Sequence, residues 1–260
     1  MADWKTELTG RVLVLVAHAD DESVAYGALM QKVREAVVVI ATDGAPRDEY
    51  FWGRFGSREA YRAVRKEEAR RAMQAIGVGR PVLLAEEDER LEDQRLFLNL
   101  NAAWARLEPF VEQLRPEAIA TLAYEGGHPD HDSCSLLAAR LGERFAVPVW
   151  EAAVYSRQSG TEGGESELRI QRFLSESGEE CAVEISEGEL ERKRAMCAEY
   201  KSQGDFLQTF DARREVLRPQ VKYDYSRAPH AGLTNYEQWH WWMSAREVSA
   251  KFAEFLEARD

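Results

Sequence analysis

Predominantly apolar runs divide the first 155 residues of the chain. They lie at residues 12–17, 36–42, 118–123 and 148–154 and are rich in valine, isoleucine and alanine. Strands that are buried on both faces of a parallel sheet have this composition, whereas a strand with one exposed face alternates polar and apolar residues. The pattern therefore predicts an α/β fold built on a mostly parallel sheet.

Between these runs, apolar residues recur at the three- and four-residue spacing of amphipathic helices. The spacing predicts helices over residues 23–34, 58–77, 98–114 and 133–145, which would flank the sheet in a Rossmann-like arrangement. A short strand is predicted at residues 81–84, between the second and third of these helices.

The pattern changes beyond residue 155. Residues 156–167 are rich in glycine, serine and glutamate, which predicts a flexible surface excursion. Residues 168–174 and 181–185 predict a small β-hairpin that turns at Ser177-Gly178. A final amphipathic helix carries apolar residues on one face: Val248, Phe252, Phe255 and Leu256.

The length of 260 residues fits one large α/β domain. We expect a single domain over residues 1–260, with a Rossmann-like core at about 10–155 and a C-terminal extension at about 156–260. The extension would hold the small hairpin and the last helices.

Two of the apolar runs end in polar residues of the same kinds. The run at 12–17 is followed by His18-Ala-Asp-Asp-Glu22, and the run at 118–123 by a segment that contains His128-Pro-Asp-His131. Carboxylates at the end of a buried strand are costly unless a cation lies among them, and histidine with aspartate is a typical ligand set for a divalent metal. Ligands of open α/β sheets gather at the carboxyl ends of strands where the winding direction switches, so the two segments would meet if their strands are neighbours.

These two segments resemble the signatures of a known family. Ala17-His-Ala-Asp-Asp-Glu22 is similar to the AHPDDE motif, and His128-Pro-Asp-His131 to the HPDH motif, of the zinc-dependent LmbE-like (PIG-L) de-N-acetylases. Ala19 stands where that family usually has proline. The resemblance implies a hydrolase that removes an N-acetyl group from an N-acetylglucosamine-type sugar or its conjugate.

The resemblance also assigns roles to residues of this chain. It implies that the metal ligands are His18, Asp21 and His131. It implies Asp20 as the general base that takes a proton from water, and His128, oriented by Asp130, as the acid and oxyanion stabiliser. The expected ion is Zn²⁺, although Fe²⁺ accepts the same ligand set.

Further candidates for substrate binding are Asp43, Arg47, Arg54 and Arg65. Asp43 belongs to Thr42-Asp-Gly44, which resembles a segment of the family, but an aspartate there also serves as a turn residue. Arg47 and Arg54 lie in the aromatic segment 44–57, which is either a lid or substrate wall, or a loop packed by its rings. Arg65 resembles a family arginine, and it is also spaced to pair with Glu68 on the same helix.

Two alternative functions are considered for the same chain. A non-catalytic Rossmann-type nucleotide or sugar-nucleotide binding domain would need a Gly-x-Gly-x-x-Gly turn after the first strand, but the first glycine after Val12 is Gly27. A related amidase acting on a different amide, such as a thiol conjugate or a lipid-linked sugar, would share the metal chemistry. The sequence does not separate this amidase from the sugar deacetylase.

Composition limits the partners and the cellular location that we expect for this protein. With 46 acidic and 34 basic residues, the net charge of -12 disfavours nucleic acid, and no apolar run approaches the ~20 residues of a membrane span. The three cysteines form no C-x-x-C pair, which is typical of reduced thiols, so a cytoplasmic location is expected. For His230, His240 and the tryptophans of residues 239–242, packing is the default interpretation. Stacking on a sugar or a contact in a homo-oligomer is left open for these tryptophans.

Overall fold

The computed structural model describes residues 3–158, 167–174 and 178–259. The strands are β1 (Arg11–Val16), β2 (Glu35–Ile40), β3 (Val82–Leu83), β4 (Ala118–Leu122), β5 (Val149–Ala152), β6 (Tyr155–Gln158), β7 (Glu167–Ile170), β8 (Cys181–Ala182) and β9 (Val216–Pro219). The α-helices are α1 (Trp4–Glu7), α2 (Asp21–Tyr26), α3 (Glu49–Trp52), α4 (Arg58–Ala75), α5 (Leu100–Leu114), α6 (Pro129–Phe145), α7 (Glu187–Glu199), α8 (Gly204–Leu207), α9 (Asn235–Gln238) and α10 (Ala245–Glu257). The predicted excursion falls mostly on residues 159–166, which lie outside the described residues.

A seven-stranded sheet forms the centre of the described structure, with the order β3-β2-β1-β4-β5-β9-β8. The pairs from β3 to β5 are parallel, and β9 runs antiparallel to both β5 and β8. β1 and β4 are direct neighbours, with Val12 opposite Ala118, so the winding direction switches between them. The predicted α/β fold is confirmed, and the two polar segments follow adjacent strands.

The first predicted helix is shorter than expected. It ends at Tyr26 because a buried ion pair binds the carbonyl of Val24 and the N–H of Ala28, the two groups that would form the next helical hydrogen bond. Lys193 Nζ donates to the carbonyl of Val24 (3.1 Å), and Glu215 Oε1 accepts the N–H of Ala28 (2.6 Å). Lys193 and Glu215 are themselves 2.6 Å apart. Both come from the C-terminal part of the chain, so local periodicity gave no sign of this ending.

The second His-Asp motif lies on a helix and not in a loop. α6 begins at Pro129, four residues before the predicted start, with His128 as its N-cap. Proline is favoured at the first helical position because its missing N–H would have no helical partner there.

The strand pairing of the C-terminal part also differs from the prediction. β7 pairs with β6 in a small two-stranded antiparallel sheet, which confirms a hairpin-like element. The predicted pairing of residues 168–174 with 181–185 is wrong, because β8 joins β9 in the main sheet. β5, which lies within the run at 148–154, is not an edge strand of that sheet, because β9 pairs with it. Ser177 of the predicted turn lies outside the described residues.

The last helix follows its apolar pattern. α10 buries Val248, Phe252 and Phe255 against the core. Ser244 and Glu247 form a capping box at its start, which satisfies two otherwise unpaired N–H groups. Within the described ranges, no helix combines the length and apolar character that crossing a bilayer requires.

Candidate active site

The segment after β1 holds its polar side chains on a strained backbone. Asp20 has φ 132° and ψ −31°, a conformation that residues with a side chain rarely adopt. Its N–H donates to Glu22 Oε2 (3.1 Å), and its carbonyl accepts from Ser23 Oγ (2.6 Å). Asp21 Oδ2 accepts the N–H of His18 (2.8 Å). These bonds fix the directions in which the imidazole and the two aspartates leave the loop.

The segment after β4 is anchored by a buried carboxylate and a glycine. Asp132 accepts the N–H groups of Glu125 (3.1 Å) and Gly126 (3.0 Å). A Cβ atom on Gly127 would lie 1.9 Å from the carbonyl oxygen of Tyr155, so only glycine permits this close approach. The loop therefore packs against β6, and the start of α6 lies near the end of β1.

The position of His128 at the start of α6 sets its tautomer. Its Nδ1 accepts the N–H of Asp130 (3.1 Å), so the proton of the neutral ring lies on Nε2. Burial, followed by the nearby His18, lowers the pKa of His128 below its usual value. His128 therefore presents an N–H group on the side of the ring opposite its helix.

His18, Asp21 and His131 come together where β1 and β4 end. Asp21 Oδ2 is 3.4 Å from His18 Nδ1, and Asp21 Oδ1 is 3.2 Å from His131 Nε2. All three side chains are buried, and one potential ligand atom from each lies within 4.8 Å of the others. Burial alone would raise the pKa of Asp21, but His131 and His18 hold it well below its usual range.

A second group of potential ligands shares the same imidazole. His18, Asp93, His128 and Asp130 each offer an atom within 4.8 Å of the others. Asp93 Oδ1 lies 3.4 Å from Nε2 of both His18 and His128. Burial opposes a charged ring, yet Asp93, Asp130 and Asp21 together raise the pKa of His18 well above its usual value.

Asp130 lies closer to His18 than to His128, the histidine that it was expected to orient. Its Oδ2 is 3.2 Å from His18 Nε2 and 3.8 Å from Nδ1 of His128. The same carboxylate accepts the N–H groups of Gln94 (2.6 Å) and Leu96 (2.9 Å). Asp130 thus orients His18 through its Nε2, as carboxylates around metal sites commonly do.

Asp93 is the site carboxylate that no sequence motif marks. It lies in the acidic loop after β3. Asp88 of the same loop binds Arg90 (2.6 Å). The N–H of Asp93 donates to Asp43 Oδ1 (3.0 Å), which holds this part of the loop against the end of β2. The only sequence signal for Asp93 is its place after a strand end.

Asp20 faces a buried arginine from α4. Arg65 Nη1 is 3.2 Å from Asp20 Oδ2. Burial raises the pKa of Asp20 to about 6, and Arg65 opposes this rise. Glu68, which was a candidate partner for Arg65, accepts the N–H (2.9 Å) and the hydroxyl (2.6 Å) of Ser202 instead. Arg65 is therefore directed at Asp20 and not at its own helix.

The balance of charges and hydrogen bonds in this cluster fits a bound cation. Four carboxylates are buried together: Asp20, Asp21, Asp93 and Asp130. Arg65, a buried arginine, pairs with Asp20. Asp93 Oδ1 is buried and accepts no hydrogen bond from the described residues. Buried like charges are unfavourable without compensation, and two imidazoles with a carboxylate are a common donor set for divalent metals.

The remaining substrate candidates occupy different places. Asp43 has both oxygens engaged by the protein, with Arg58 Nη2 at 2.7 Å and Arg62 Nε at 3.1 Å from Oδ2. Arg54 donates to the carbonyl of Ser202 (2.7 Å). Among these candidates, Arg65 lines the pocket that contains the cluster, and Arg47 lines a cavity beside it.

The pocket over the cluster has a volume of about 340 Å³. Tyr50 and Phe51 of the aromatic segment 44–57 line it, which favours a substrate wall over a loop packed only on the core. Trp239 and Trp241 of the tail line it as well, and Trp241 packs edge-on against His128 with 4.9 Å between ring centroids. The tryptophan-rich tail is therefore part of the candidate site.

Removing the hydroxyl of Tyr200 is expected to destabilise this part of the fold. Tyr200 donates to Glu22 Oε1 (2.5 Å), and burial raises the pKa of Glu22 to about 8. Tyr200→Phe leaves that buried oxygen without its donor, which should cost about 1–2 kcal/mol and lower Tm by roughly 2–8 °C in thermal unfolding. Tyr50→Phe, at an exposed ring, is the matched control. An unchanged Tm for Tyr200→Phe would contradict the prediction.

The fold and the site define a class: a Rossmann-like α/β protein with a buried His–Asp cluster, suited to a divalent metal, at the switch point of its sheet. Residues 13–141, about half of the chain, match the PIG-L family model, which is described as GlcNAc-PI de-N-acetylase. Through this segment the chain belongs to the PIG-L family, as its two His-Asp motifs predicted.

Individual relatives extend this comparison. A Bacillus cereus protein named "Probable N-acetyl-alpha-D-glucosaminyl L-malate deacetylase 2" is 27% identical over 165 residues, 60% of this chain and 73% of that protein. The deacetylase of the teicoplanin biosynthesis pathway has a TM-score of 0.63 at 16% identity, covering 82% of this chain and 99% of that chain. N,N'-diacetylchitobiose deacetylase from Pyrococcus horikoshii has a TM-score of 0.56 at 18% identity, covering 84% and 85%. At these identities, the two solved structures show a shared fold.

Proposed function

We propose that this protein is a metal-dependent hydrolase that removes the N-acetyl group from an N-acetylglucosamine-type sugar or its conjugate. The observation that carries the proposal is the convergence of Asp20 and His128 on the His18–Asp21–His131 cluster inside one pocket. The PIG-L match and the Bacillus cereus relative support the same chemistry and the same class of substrate.

We assign the metal to His18, Asp21 and His131 in preference to the second group. In the second group, both oxygens of Asp130 already accept backbone N–H groups, and Nδ1 of His128 caps α6. Three protein ligands with an open position are typical of catalytic zinc, so we propose Zn²⁺, with Fe²⁺ as the alternative. A divalent ion held by these three residues would make water a nucleophile near neutral pH and would polarise the amide carbonyl.

Asp20 is placed to act as the general base. It lies beside the proposed ligand Asp21 but belongs to neither group of potential ligands. Its carboxylate is held towards the pocket by Arg65, which also favours its charged form. A proton that is taken from water would therefore move to an oxygen of Asp20.

His128 is placed to act on the oxyanion and on the departing amine. Its Nε2–H faces the pocket, with Asp93 Oδ1 3.4 Å away. The neutral ring, whose Nδ1 accepts the N–H of Asp130, would donate this Nε2–H to the oxyanion. To act as an acid towards the departing amine, the ring would take a proton at Nδ1 in place of that hydrogen bond, and Asp93 would stabilise the resulting charge. We therefore propose that Asp93 orients His128, the role that the family resemblance implied for Asp130.

Acetate release tests the proposal. Protein stripped with a chelator is expected to release no acetate from N-acetylglucosamine derivatives, and to regain activity on addition of Zn²⁺ or Fe²⁺. Elemental analysis of protein purified without added metal identifies the ion. Activity that persists in metal-free protein would contradict the mechanism. Hydrolysis of other amides, with no acetate release from any amino sugar, would favour the alternative amidase.

A further inference from the structure

A second cavity adjoins the catalytic pocket and is larger. Its volume is about 710 Å³, compared with about 340 Å³ over the metal cluster. The two share lining residues: Tyr50, Phe51, Asp93, Gln94, Trp239 and Trp241. Because these residues form a common border, a sugar in the catalytic pocket leaves the second cavity to whatever group is attached to it.

An aromatic turn, residues 239–242, lines this cavity. His240 has φ 56°, a left-handed conformation that is uncommon for a residue other than glycine. Trp241 packs against His128, whereas Trp242 stacks on Phe97 with 5.5 Å between centroids. Trp242 nevertheless remains 50% exposed. An indole that is fixed in place yet left open to a cavity is a typical recognition surface.

Polar side chains surround these rings. Arg47, Asp48, Gln94, Arg95 and His240 all line the cavity. Apolar ring faces together with donors and acceptors suit a pyranose, which has a C–H face for stacking and hydroxyls for hydrogen bonds.

The charges of this cavity favour a neutral ligand. The guanidinium of Arg47 is 2.7 Å from Glu92, and that of Arg95 is 3.7 Å from the same residue. Arg95 also lies over the Trp242 ring, 4.6 Å from its centroid. Glu92 also contacts Arg58 (3.1 Å), but the two arginines of the cavity lining are matched there by two aspartates, Asp48 and Asp93. An anionic group would therefore find less attraction here than two free arginines would provide.

We infer that this cavity is a subsite for a second sugar ring, which would pack against the exposed part of Trp242. The substrate would then be an N-acetylated disaccharide or longer glycan, with the reacting residue in the catalytic pocket. This inference rests on the proposed function only for the place of the reacting sugar. The subsite itself is defined by its lining and by its continuity with the pocket.

Binding measurements separate the subsite from the chemistry. Isothermal titration of the Asp20→Asn protein, which is chosen to slow turnover, compares N-acetylglucosamine with N,N'-diacetylchitobiose and with an octyl glycoside of N-acetylglucosamine. We expect the disaccharide to bind about 10-fold more tightly than the monosaccharide, and Trp242→Ala to remove most of this advantage. Trp242→Phe, which keeps a ring, should retain a large part of it. Leu233→Ala, at an exposed apolar residue that lines neither cavity, is the control.

Three outcomes would overturn the inference: equal affinities for the two sugars, an advantage that survives in Trp242→Ala, or an octyl glycoside that binds more tightly than the disaccharide. Acetate release by the wild type without a disaccharide advantage contradicts the subsite alone. A disaccharide advantage without acetate release from any N-acetyl sugar supports the subsite and contradicts the proposed function.

Discussion

Asp20→Asn is expected to lower kcat/KM for deacetylation about 10²- to 10⁴-fold, the usual contribution of a general base, while the protein keeps its metal. Asparagine has the size of aspartate and can still accept the hydrogen bond from Arg65, which now reaches Asp20 Oδ2 at 3.2 Å. It is also among the residues that best tolerate positive φ, so the strained backbone at this position should survive. What the variant lacks is a group that can take a proton near neutral pH.

The measurement pairs acetate release with metal analysis. Asp224→Asn makes the same chemical change at an exposed position, where the carboxylate contacts Ser226 and Arg227, and it should leave both activity and metal content unchanged. Loss of the metal from Asp20→Asn would reassign Asp20 as a ligand. Activity close to that of the wild type would remove it as the base.

His131→Ala is expected to remove both the metal and the activity. His131 Nε2 is 3.2 Å from Asp21 Oδ1, and its loss leaves two of the three proposed ligands. Changes in residues around metal ligands typically cost 10- to 100-fold in affinity, so we expect the loss of a ligand to exceed about 100-fold. Equilibrium dialysis with Zn²⁺ measures this affinity directly.

Thermal unfolding gives a readout of the same ligand without turnover. For the wild type, free Zn²⁺ at 100 times its Kd should stabilise the fold by about 2.7 kcal/mol, which raises Tm by roughly 5–11 °C. His131→Ala and the more conservative His131→Gln should show little of this shift. His230→Ala, whose ring contacts the carbonyl of its neighbour Ala231, should shift as the wild type does. A full shift in both His131 variants would exclude this residue as a ligand.

The contacts of Asp130 show what the spacing of residues along the chain does not reveal. The family resemblance implied that this carboxylate orients His128, which lies two residues before it. The helix that begins at Pro129 turns the carboxylate towards His18 and the N–H groups of residues 94 and 96. The partner that lies near Nε2 of His128 is Asp93, from a loop more than thirty positions earlier. A pairing that depends on where a distant loop folds has no counterpart in local spacing.

In the C-terminal extension too, local features were predicted and long-range contacts were not. The last helix was predicted from its apolar face, because burial of one stripe depends on spacing within the helix itself. The hairpin was paired wrongly, because short strands with similar composition do not specify their partners. β7 and β8 went to different sheets. The sequence likewise left three interpretations for Trp239–Trp242, and the structure places these rings along the candidate site.

The sequence by itself determined the buried parallel strands, the helices between them and the two His-Asp segments, since each depends on residues that are close along the chain. Only the tertiary structure decided that β1 and β4 are neighbours, that Asp93 and Arg65 complete the cluster, and that the tail borders the pocket. The physical reason is that these contacts join residues separated by tens to hundreds of positions. Their free energy depends on the packing of the whole sheet and not on local preference.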